Sequence, residues 1–175
     1  TSNLPPGVTP SDVKMLTASS EPGSISTVVL TTCSGAVWVL GSNSAVRGNG
    51  TTGDSNNWAQ VLTAASTPLT GIVAARVQSN TIIALKNDNT IWTWGAKSYL
   101  ANNTAASDLS YATQMTHPDT SKTIKMIGIT GTKNDEKTYY VLMTDGNLYS
   151  LGGNTDRQMG DWTNVEKTSW VQPRY

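Results

Sequence analysis

Short apolar runs, each broken by a polar turn, recur along this chain of 175 residues. Three such pairs of runs span residues 28–41, 82–95 and 139–152, and their turns contain Ser-Gly, Asp-Asn or Asp-Gly. Two apolar runs joined by a turn of this chemistry predict a β-hairpin. Large residues two positions apart follow each turn, as Trp92 and Trp94 do, and therefore share one face of the second strand.

Each predicted hairpin belongs to a longer repeating unit. The glycines that close the hairpins, Gly41, Gly95 and Gly152, are spaced 54 and then 57 residues apart. One apolar run precedes each hairpin (13–16, 71–75, 123–128), and a run containing Trp or Tyr follows it (58–61, 111–114, 170–173). The unit therefore predicts four antiparallel strands. Such a sheet cannot bury its large residues alone, so we expect the sheets to stack as propeller blades do.

The third unit resembles the repeat of the regulator of chromosome condensation family. The resemblance is carried by LMTDGNLYSLGGNTDRQMG at residues 142–160, which departs from the family pattern in having Leu151 for Trp, Arg157 for Gly and Met159 for Leu. It implies an all-β array of four-stranded antiparallel blades over residues 13–175, preceded by a linker or N-terminal extension at 1–12. The family's propellers usually have about seven blades. About three are expected here, a partial ring that blades from the same protein or another chain would complete.

Charge and composition narrow the possible partners. The chain has 12 basic and 12 acidic residues and a formal net charge of zero. A protein that binds nucleic acid through phosphates needs an excess of positive charge, so no nucleic-acid partner is expected. No apolar run approaches the length of about 18 residues that a membrane span needs, so no membrane insertion is expected. The single His and single Cys exclude a His/Cys metal cluster, and we expect neither a metal nor a cofactor.

Three candidate chemistries each have a simpler structural reading. His117 lies in the loop sequence Thr-His-Pro-Asp, where a turn role is favoured over a general base. Cys33 is predicted at an exposed hairpin tip, where a tolerated turn residue is favoured over a reactive thiol. The segments 87–89 and 145–147 resemble parts of calcium loops but lack the distal carboxylate, which favours Asx turns.

Other polar segments are predicted to be loops. The Gly-rich segment 48–53 lacks the Lys of a phosphate-binding loop and is interpreted as an inter-strand loop. Residues 133–137 are interpreted as a solvated turn. The triplets Asn49-Gly50-Thr51 and Asn102-Asn103-Thr104 fit the N-glycosylation sequence and are expected on exposed loops.

Aromatic residues divide into repeated and unrepeated positions. Six recur at matching places in the units and are predicted to form blade cores: Trp38, Trp92, Tyr149, Trp58, Tyr111 and Trp170. Tyr99 and Trp162 show no counterpart in the other units. An aromatic side chain in a loop without a repeated structural role is a candidate ligand contact. We therefore predict Tyr99 and Trp162, with Arg157 and Gln158, as ligand-binding residues.

The resemblance and the composition lead to one functional hypothesis and one alternative. The hypothesis is a non-enzymatic binding or adhesion module of an exported bacterial cell-surface or secreted protein, with a protein or glycan partner held by the propeller loops. A surface rich in Thr, Ser and Asn favours this extracellular setting. The alternative is an intracellular guanine-nucleotide-exchange or chromatin-type propeller. A hydrolase is not supported, because no paired carboxylates are apparent in the sequence.

Overall fold

The computed structural model describes residues 3–19, 27–41, 46–51, 56–131 and 137–174. These residues form β-strands, together with one short 3-10 helix at Pro10–Asp12. Among them, no helix has the length and apolar character that crossing a bilayer would require. The predicted all-β fold is confirmed.

Three four-stranded antiparallel sheets dominate the structure, in the chain order that the repeats predicted. The first sheet, blade 1, consists of β1 (Val13–Ser19), β2 (Thr27–Thr32), β3 (Val37–Leu40) and β4 (Ala59–Gln60). A small hairpin of β5 (Leu62–Ala64) and β6 (Thr67–Pro68) follows. Blade 2 consists of β7 (Ile72–Gln78), β8 (Thr81–Lys86), β9 (Ile91–Ser98) and β10 (Ser107–Gln114). Blade 3 consists of β11 (Ile124–Gly131), β12 (Lys137–Met143), β13 (Leu148–Gly152) and β14 (Lys167–Val171).

The sheets stack face to face, with blade 2 in the middle. One buried cluster joins residues such as Val39 of blade 1 to Ile82 and Trp94 of blade 2. A second cluster joins the opposite face of blade 2, including Ile83, to residues such as Tyr139 of blade 3. Because both faces of blade 2 are covered, β8 is apolar along most of its length instead of alternating.

The first strands of the blades lie next to one another, since β7 contacts both β1 and β11. One backbone hydrogen bond holds the entry to each blade in the same way. The N–H groups of Cys33, Asn87 and Thr144 donate to the carbonyls of Asp12, Gly71 and Thr123 at 2.7, 2.9 and 2.9 Å. The segment before blade 1 therefore follows the same course as the connections between blades.

The stretch predicted as a linker, residues 1–12, packs on blade 1 where it is described. The indole N–H of Trp58 donates to the carbonyl of Asn3 at 2.9 Å, and Pro5 is buried. The equivalent indole of blade 3, Trp170, donates to the carbonyl of Thr116 in the connection after blade 2 at 2.7 Å. This segment thus occupies the place that a preceding connection takes in the next blades.

Strand register corrects one detail of the sequence alignment. Ala59, Thr113 and Val171 of the fourth strands pair with equivalent residues of the third strands, Val39, Thr93 and Ser150. The counterpart of Trp58 and Trp170 is therefore Ala112, and Tyr111 lies one position earlier. Gln60, Gln114 and Gln172 consequently align. The alignment by sequence matches Tyr111 with Trp58 and Trp170, whereas the backbone pairing places Ala112 of blade 2 at that position.

Two of the three repeated glycines are required by their surroundings. Gly95 and Gly152 have φ of 102° and 114°, and a Cβ would collide with the carbonyl oxygens of Asn80 and Lys137. Both conditions exclude a side chain. Gly41 differs, because its φ is not positive and the atom nearest to an added Cβ would be Thr27 Oγ1 at 3.4 Å.

Candidate binding site

The loops between the third and fourth strands share one turn, which the sequence analysis did not recognise. In each loop an Asx side chain accepts from the N–H and the hydroxyl of the Thr two residues later. Asn49 Oδ1 lies 3.2 and 2.7 Å from Thr51 N and Oγ1, and Asn102 Oδ1 lies 3.2 and 2.6 Å from those of Thr104. Both triplets that fit the glycosylation sequence therefore close structural turns.

The third loop contains the same turn with different residues. Asp161 Oδ1 lies 3.1 and 2.9 Å from N and Oγ1 of Thr163. The middle residues of the three turns, Gly50, Asn103 and Trp162, have φ of 78°, 66° and 64°. Trp162 thus has counterparts in both other blades, and the prediction that it lacks a repeat equivalent was wrong. The signal was present in the spacing Asx-x-Thr, but the differing middle residues concealed it.

This turn connects one blade to the next. The N–H of Gly50 donates to the carbonyl of Ser110 on β10 at 2.8 Å, and the N–H of Asn103 donates to the carbonyl of Thr168 on β14 at 3.1 Å. Ser110 and Thr168 occupy the same position in the register of their fourth strands. The turns of blades 1 and 2 therefore each link a loop to the fourth strand of the following blade.

Trp162 is the most exposed large apolar residue described, at 78%. Its indole N–H donates to the carbonyl of Arg174 at 2.9 Å, which fixes the ring over the segment that follows β14. Its backbone N–H has no hydrogen-bond partner among the described residues. An exposed indole on a backbone with positive φ is costly to maintain, which supports a contact role.

Buried polar groups hold the loop that carries Trp162. Asn154 Nδ2 donates to Asp161 Oδ1 at 2.8 Å, and Asn154 Oδ1 accepts from the N–H of Met159 at 3.0 Å. Lys167 Nζ lies 3.2 Å from Asp161 Oδ2. Burial alone would raise the pKa of Asp161, but the hydrogen bonds from Thr163, with Lys167 and Asn154, outweigh it and hold the pKa well below its usual value.

Two predicted contact residues lie next to each other in this loop but have different roles. Gln158 is half-buried: its Nε2 donates to Thr138 Oγ1 at 3.2 Å, and its carbonyl accepts from the Tyr140 hydroxyl at 2.9 Å. Arg157 is exposed, with φ of 60°, and its guanidinium makes no hydrogen bond or ion pair with the other described residues. A ligand contact by Arg157 stays a prediction, and Gln158 helps to shape the loop.

Tyr99, the fourth predicted contact, is almost completely buried, at 3% exposure. Its ring packs edge-on against Tyr139, with ring centroids 6.3 Å apart. It is therefore part of the core between blades 2 and 3, a role that the sequence argument did not anticipate. Its remaining accessible edge lines a cleft, so a ligand contact stays a prediction.

That cleft lies between the loops that follow β9 and β13, and has a volume of about 310 Å³. Lys97 and Thr155 contribute to its lining beside Tyr99, and Glu166 adds an acidic group. The volume is at the lower end of the range for ligand sites, and opposite charges favour a polar partner. The cleft exists only because two blades are stacked, so no single repeat could predict it.

The remaining candidate residues have structural partners. Cys33 is exposed at the β2–β3 turn, as predicted. His117 is half-buried: its Nδ1 accepts from the N–H of Asp119 at 3.1 Å, and its Nε2 lies 3.2 Å from Asn89 Nδ2. Burial lowers the pKa of His117, and Asp119 opposes this only in part.

The predicted Asx turns are present where they are described. Asp88 Oδ1 accepts from the N–H of Thr90 at 3.1 Å, and Asp145 Oδ1 accepts from the N–H of Asn147 at 3.0 Å. Within the described ranges, no three His, Cys, Asp or Glu side chains are grouped so that they could hold a metal ion. The predicted turn at 133–137 lies outside the described residues apart from Lys137, as do residues 52 and 53 of the Gly-rich loop.

Comparison with known proteins identifies the fold. No protein-family model and no curated protein matches the chain. Among solved structures, human WBSCR16 matches with a TM-score of 0.72 and 16% identity, over 91% of this chain and 37% of that one. A structure of Kap60 bound to yeast RCC1 (Prp20) matches with a TM-score of 0.60 and 17% identity, over 85% of this chain and 31% of that one. Prp20p from Saccharomyces cerevisiae matches with a TM-score of 0.61 and 16% identity, over 98% of this chain and 40% of that one.

These similarities assign the chain to a class of fold: consecutive blades of a β-propeller. The particular propellers that it resembles are those of the regulator of chromosome condensation type, so the predicted resemblance is confirmed in fold. The chain spans less than half the length of each of these matching chains.

Proposed function

We propose that this chain is a non-enzymatic protein-binding module, which holds its partner at the cleft between the loops of blades 2 and 3. The observation that carries the proposal is the cleft itself, in which Lys97 and Glu166 place opposite charges beside the edge of Tyr99. Arg157, exposed on the same loop as Glu166, extends the charged surface. A rigid blade stack that presents loops is suited to binding without making or breaking a bond.

The proposal is tested by partner capture with matched variants. Lys97→Glu and Arg157→Glu should each abolish capture of a partner that the unmodified chain retains. Ala65→Glu, an exposed turn residue far along the chain from both loops, should retain it. Hydrogen exchange on the complex should then show protection in 96–106 and 153–166. Protection elsewhere, or a partner that all three variants retain, contradicts the proposed site.

The extracellular setting remains part of the proposal. Low charge and a surface rich in Thr, Ser and Asn support an exported cell-surface or secreted module. An intracellular exchange or chromatin-type propeller is the second candidate. It is favoured by two of the similar structures, because yeast RCC1 (Prp20) binds Kap60 and Prp20p has binding properties toward Gsp1p and histones. Fractionation of the native host with an antibody to this chain separates the two, because only an exported protein is accessible on intact cells or in the medium.

The same cleft admits a glycan instead of a protein. A glycan array probed with the chain, with Lys97→Glu as control, distinguishes these partners. If the chain binds a glycan and Lys97→Glu abolishes that binding, the partner is a glycan and not a protein, but the cleft remains the binding site. We favour a protein because charged groups of both signs meet at the cleft.

A further inference from the structure

Lys97 has a backbone conformation that favours glycine. Its φ is 52°, in the left-handed region that residues with a Cβ seldom adopt. Asparagine tolerates this region better than lysine does, and it occupies the same region at Asn89 and Asn103, with φ of 70° and 66°. A lysine at this position is therefore maintained at a conformational cost.

A β-bulge gives Lys97 this conformation. Residues 95–98 of β9 lie opposite residues 107–109 of β10, so β9 has one extra residue in this interval. The N–H of Lys97 donates to Asp108 Oδ1 at 3.0 Å, which stabilises the bulge. Bulges and strained residues are both over-represented at functional sites, so this geometry supports a contact role for the Lys97 side chain.

The cleft between blades 2 and 3 has charges of opposite sign on its two sides. Lys97 lines it from blade 2, Glu166 lines it from blade 3, and both residues are exposed. The other lining residues are uncharged: Tyr99, Ala105, Ala106, Gly153, Asn154 and Thr155. A partner in the cleft therefore meets one cationic and one anionic group, supplied by two adjacent blades of this chain.

We propose that Lys97 determines the partner chemistry of this cleft, which accepts a protein segment with an acidic side chain facing Lys97 and a basic side chain facing Glu166. This inference rests on the proposed function and names the partner that the same cleft takes. Hydrogen bonds between charged groups are shorter and stronger than those between neutral groups. Like charges brought together at an interface are unfavourable, so the two side chains also exclude a segment of reversed polarity.

Two variants that both remove the side chain test the conformational cost at Lys97. Lys97→Gly and Lys97→Ala lose the same side-chain contacts, but only glycine adopts a positive φ without strain. The Gly variant should therefore have a folding equilibrium constant roughly fivefold higher than that of the Ala variant. Urea denaturation measures the difference. Equal stabilities, or a less stable Gly variant, would overturn the premise that Lys97 is maintained at a cost.

The partner chemistry is tested with a library of random linear peptides displayed on phage. The unmodified chain should select peptides in which Asp or Glu lies close to Lys or Arg. Lys97→Arg keeps the charge and should bind the selected peptides with similar affinity. Lys97→Gln should bind them roughly tenfold more weakly, because the peptide carboxylate loses its charged partner.

The matched control for this loss is Lys125→Gln, which makes the same change at an exposed lysine of β11 that does not line the cleft. It should retain the affinity of the unmodified chain. Selected peptides without acidic residues, failure to select any peptide, or equal binding by Lys97→Gln would each overturn the proposal.

Exchanging the two charges tests the polarity of the cleft. The double variant Lys97→Glu/Glu166→Lys keeps the net charge and one group of each sign. It should lose the peptides that the unmodified chain selects, and it should bind their counterparts in which acidic and basic residues are exchanged. Unchanged binding of the original peptides overturns the assigned polarity.

Hydrogen exchange separates a failure of this inference from a failure of the proposed function. A selected peptide should protect residues 96–106 and 153–166, the two loops that form the cleft. If it protects them but Lys97→Gln binds it equally well, the cleft remains the binding site and Lys97 does not determine the partner. If it protects other residues instead, the proposed site itself is wrong.

Discussion

Thr93 Oγ1 and the hydroxyl of Tyr139 lie 2.8 Å apart, fully buried between blades 2 and 3. Thr93 also donates to the carbonyl of Ile82 at 2.8 Å, so its hydroxyl proton is committed and the Tyr139 hydroxyl donates to it. Burial raises the pKa of Tyr139 to about 12. This hydrogen-bonded pair thus joins blades 2 and 3 within the apolar core between them.

Tyr139→Phe should lower the free energy of unfolding by about 1 kcal/mol, the usual contribution of one buried hydrogen bond. The substitution keeps the ring and its packing against Tyr99. Urea denaturation followed by tryptophan fluorescence measures the change. Tyr149→Phe, on a half-buried ring of the same blade, is the matched control and should change little. Equal losses in the two variants would show that the pair contributes nothing specific.

Gly50→Ala should destabilise the contact between blades 1 and 2. The φ of Gly50 is 78°, and a Cβ there would collide with the phenol of Tyr111. We expect about 1 kcal/mol from the backbone conformation, and about 1–3 kcal/mol more from crowding. Denaturation curves measure the sum.

Gly146→Ala is the control for that substitution. Gly146 also has a positive φ, 92°, but apart from Gly146 itself and its two chain neighbours no residue has an atom within 4 Å of the position that its Cβ would take. It should therefore show only the backbone contribution. If Gly50→Ala costs no more than Gly146→Ala, the close approach of the loop to Tyr111 is unimportant for stability.

Local sequence patterns predicted the blades but only part of the site. The hairpins depend on near neighbours, so the turn at Asp145-Gly146 and the alternation of Trp92 and Trp94 were enough to predict them. The cleft and the loop contacts depend on how two blades meet. Gly50, Asn103 and Trp162 share a positive φ but are different residue types, so only the flanking Asx and Thr residues indicate that the three turns are equivalent.

Burial also changed the role of one predicted residue. Tyr99 and Trp162 looked alike as unrepeated loop aromatics, yet they are 3% and 78% exposed. The difference arises because Tyr99 follows the extended β9 strand into the core against Tyr139, whereas Trp162 is held outward by the Asp161 turn. Only the tertiary contacts separate the two.

His117 should make folding stability depend on pH. Because burial places its folded-state pKa below the ordinary value of 6.5, the unfolded state binds more protons in the interval between the two values. The contribution of neutral His117 to the free energy of unfolding is therefore complete above about pH 6.5 and declines as the pH falls through that interval.

The measurement is the free energy of unfolding at pH 7.5 and pH 5.5, for the unmodified chain and for His117→Asn. We expect a decline in the unmodified chain that is smaller in the variant, which has no titrating ring. Parallel declines in both would assign the pH dependence to other groups. An increase at pH 5.5 in the unmodified chain alone would mean that the folded state favours the charged ring.

Asp161→Asn should destabilise the loop that carries Trp162, by about 2 kcal/mol, because hydrogen bonds to a buried charge are worth more than those to a neutral amide. The carboxylate of Asp161 meets Thr163, Asn154 and Lys167 at once, and an amide cannot accept at both of its atoms. Asp156→Asn removes a charge from an exposed position of the same loop and should have little effect. Denaturation reports the stability, and hydrogen exchange of residues 154–163 reports whether the loss is local. Equal effects of the two substitutions would mean that net charge, and not the turn at Asp161, stabilises this loop.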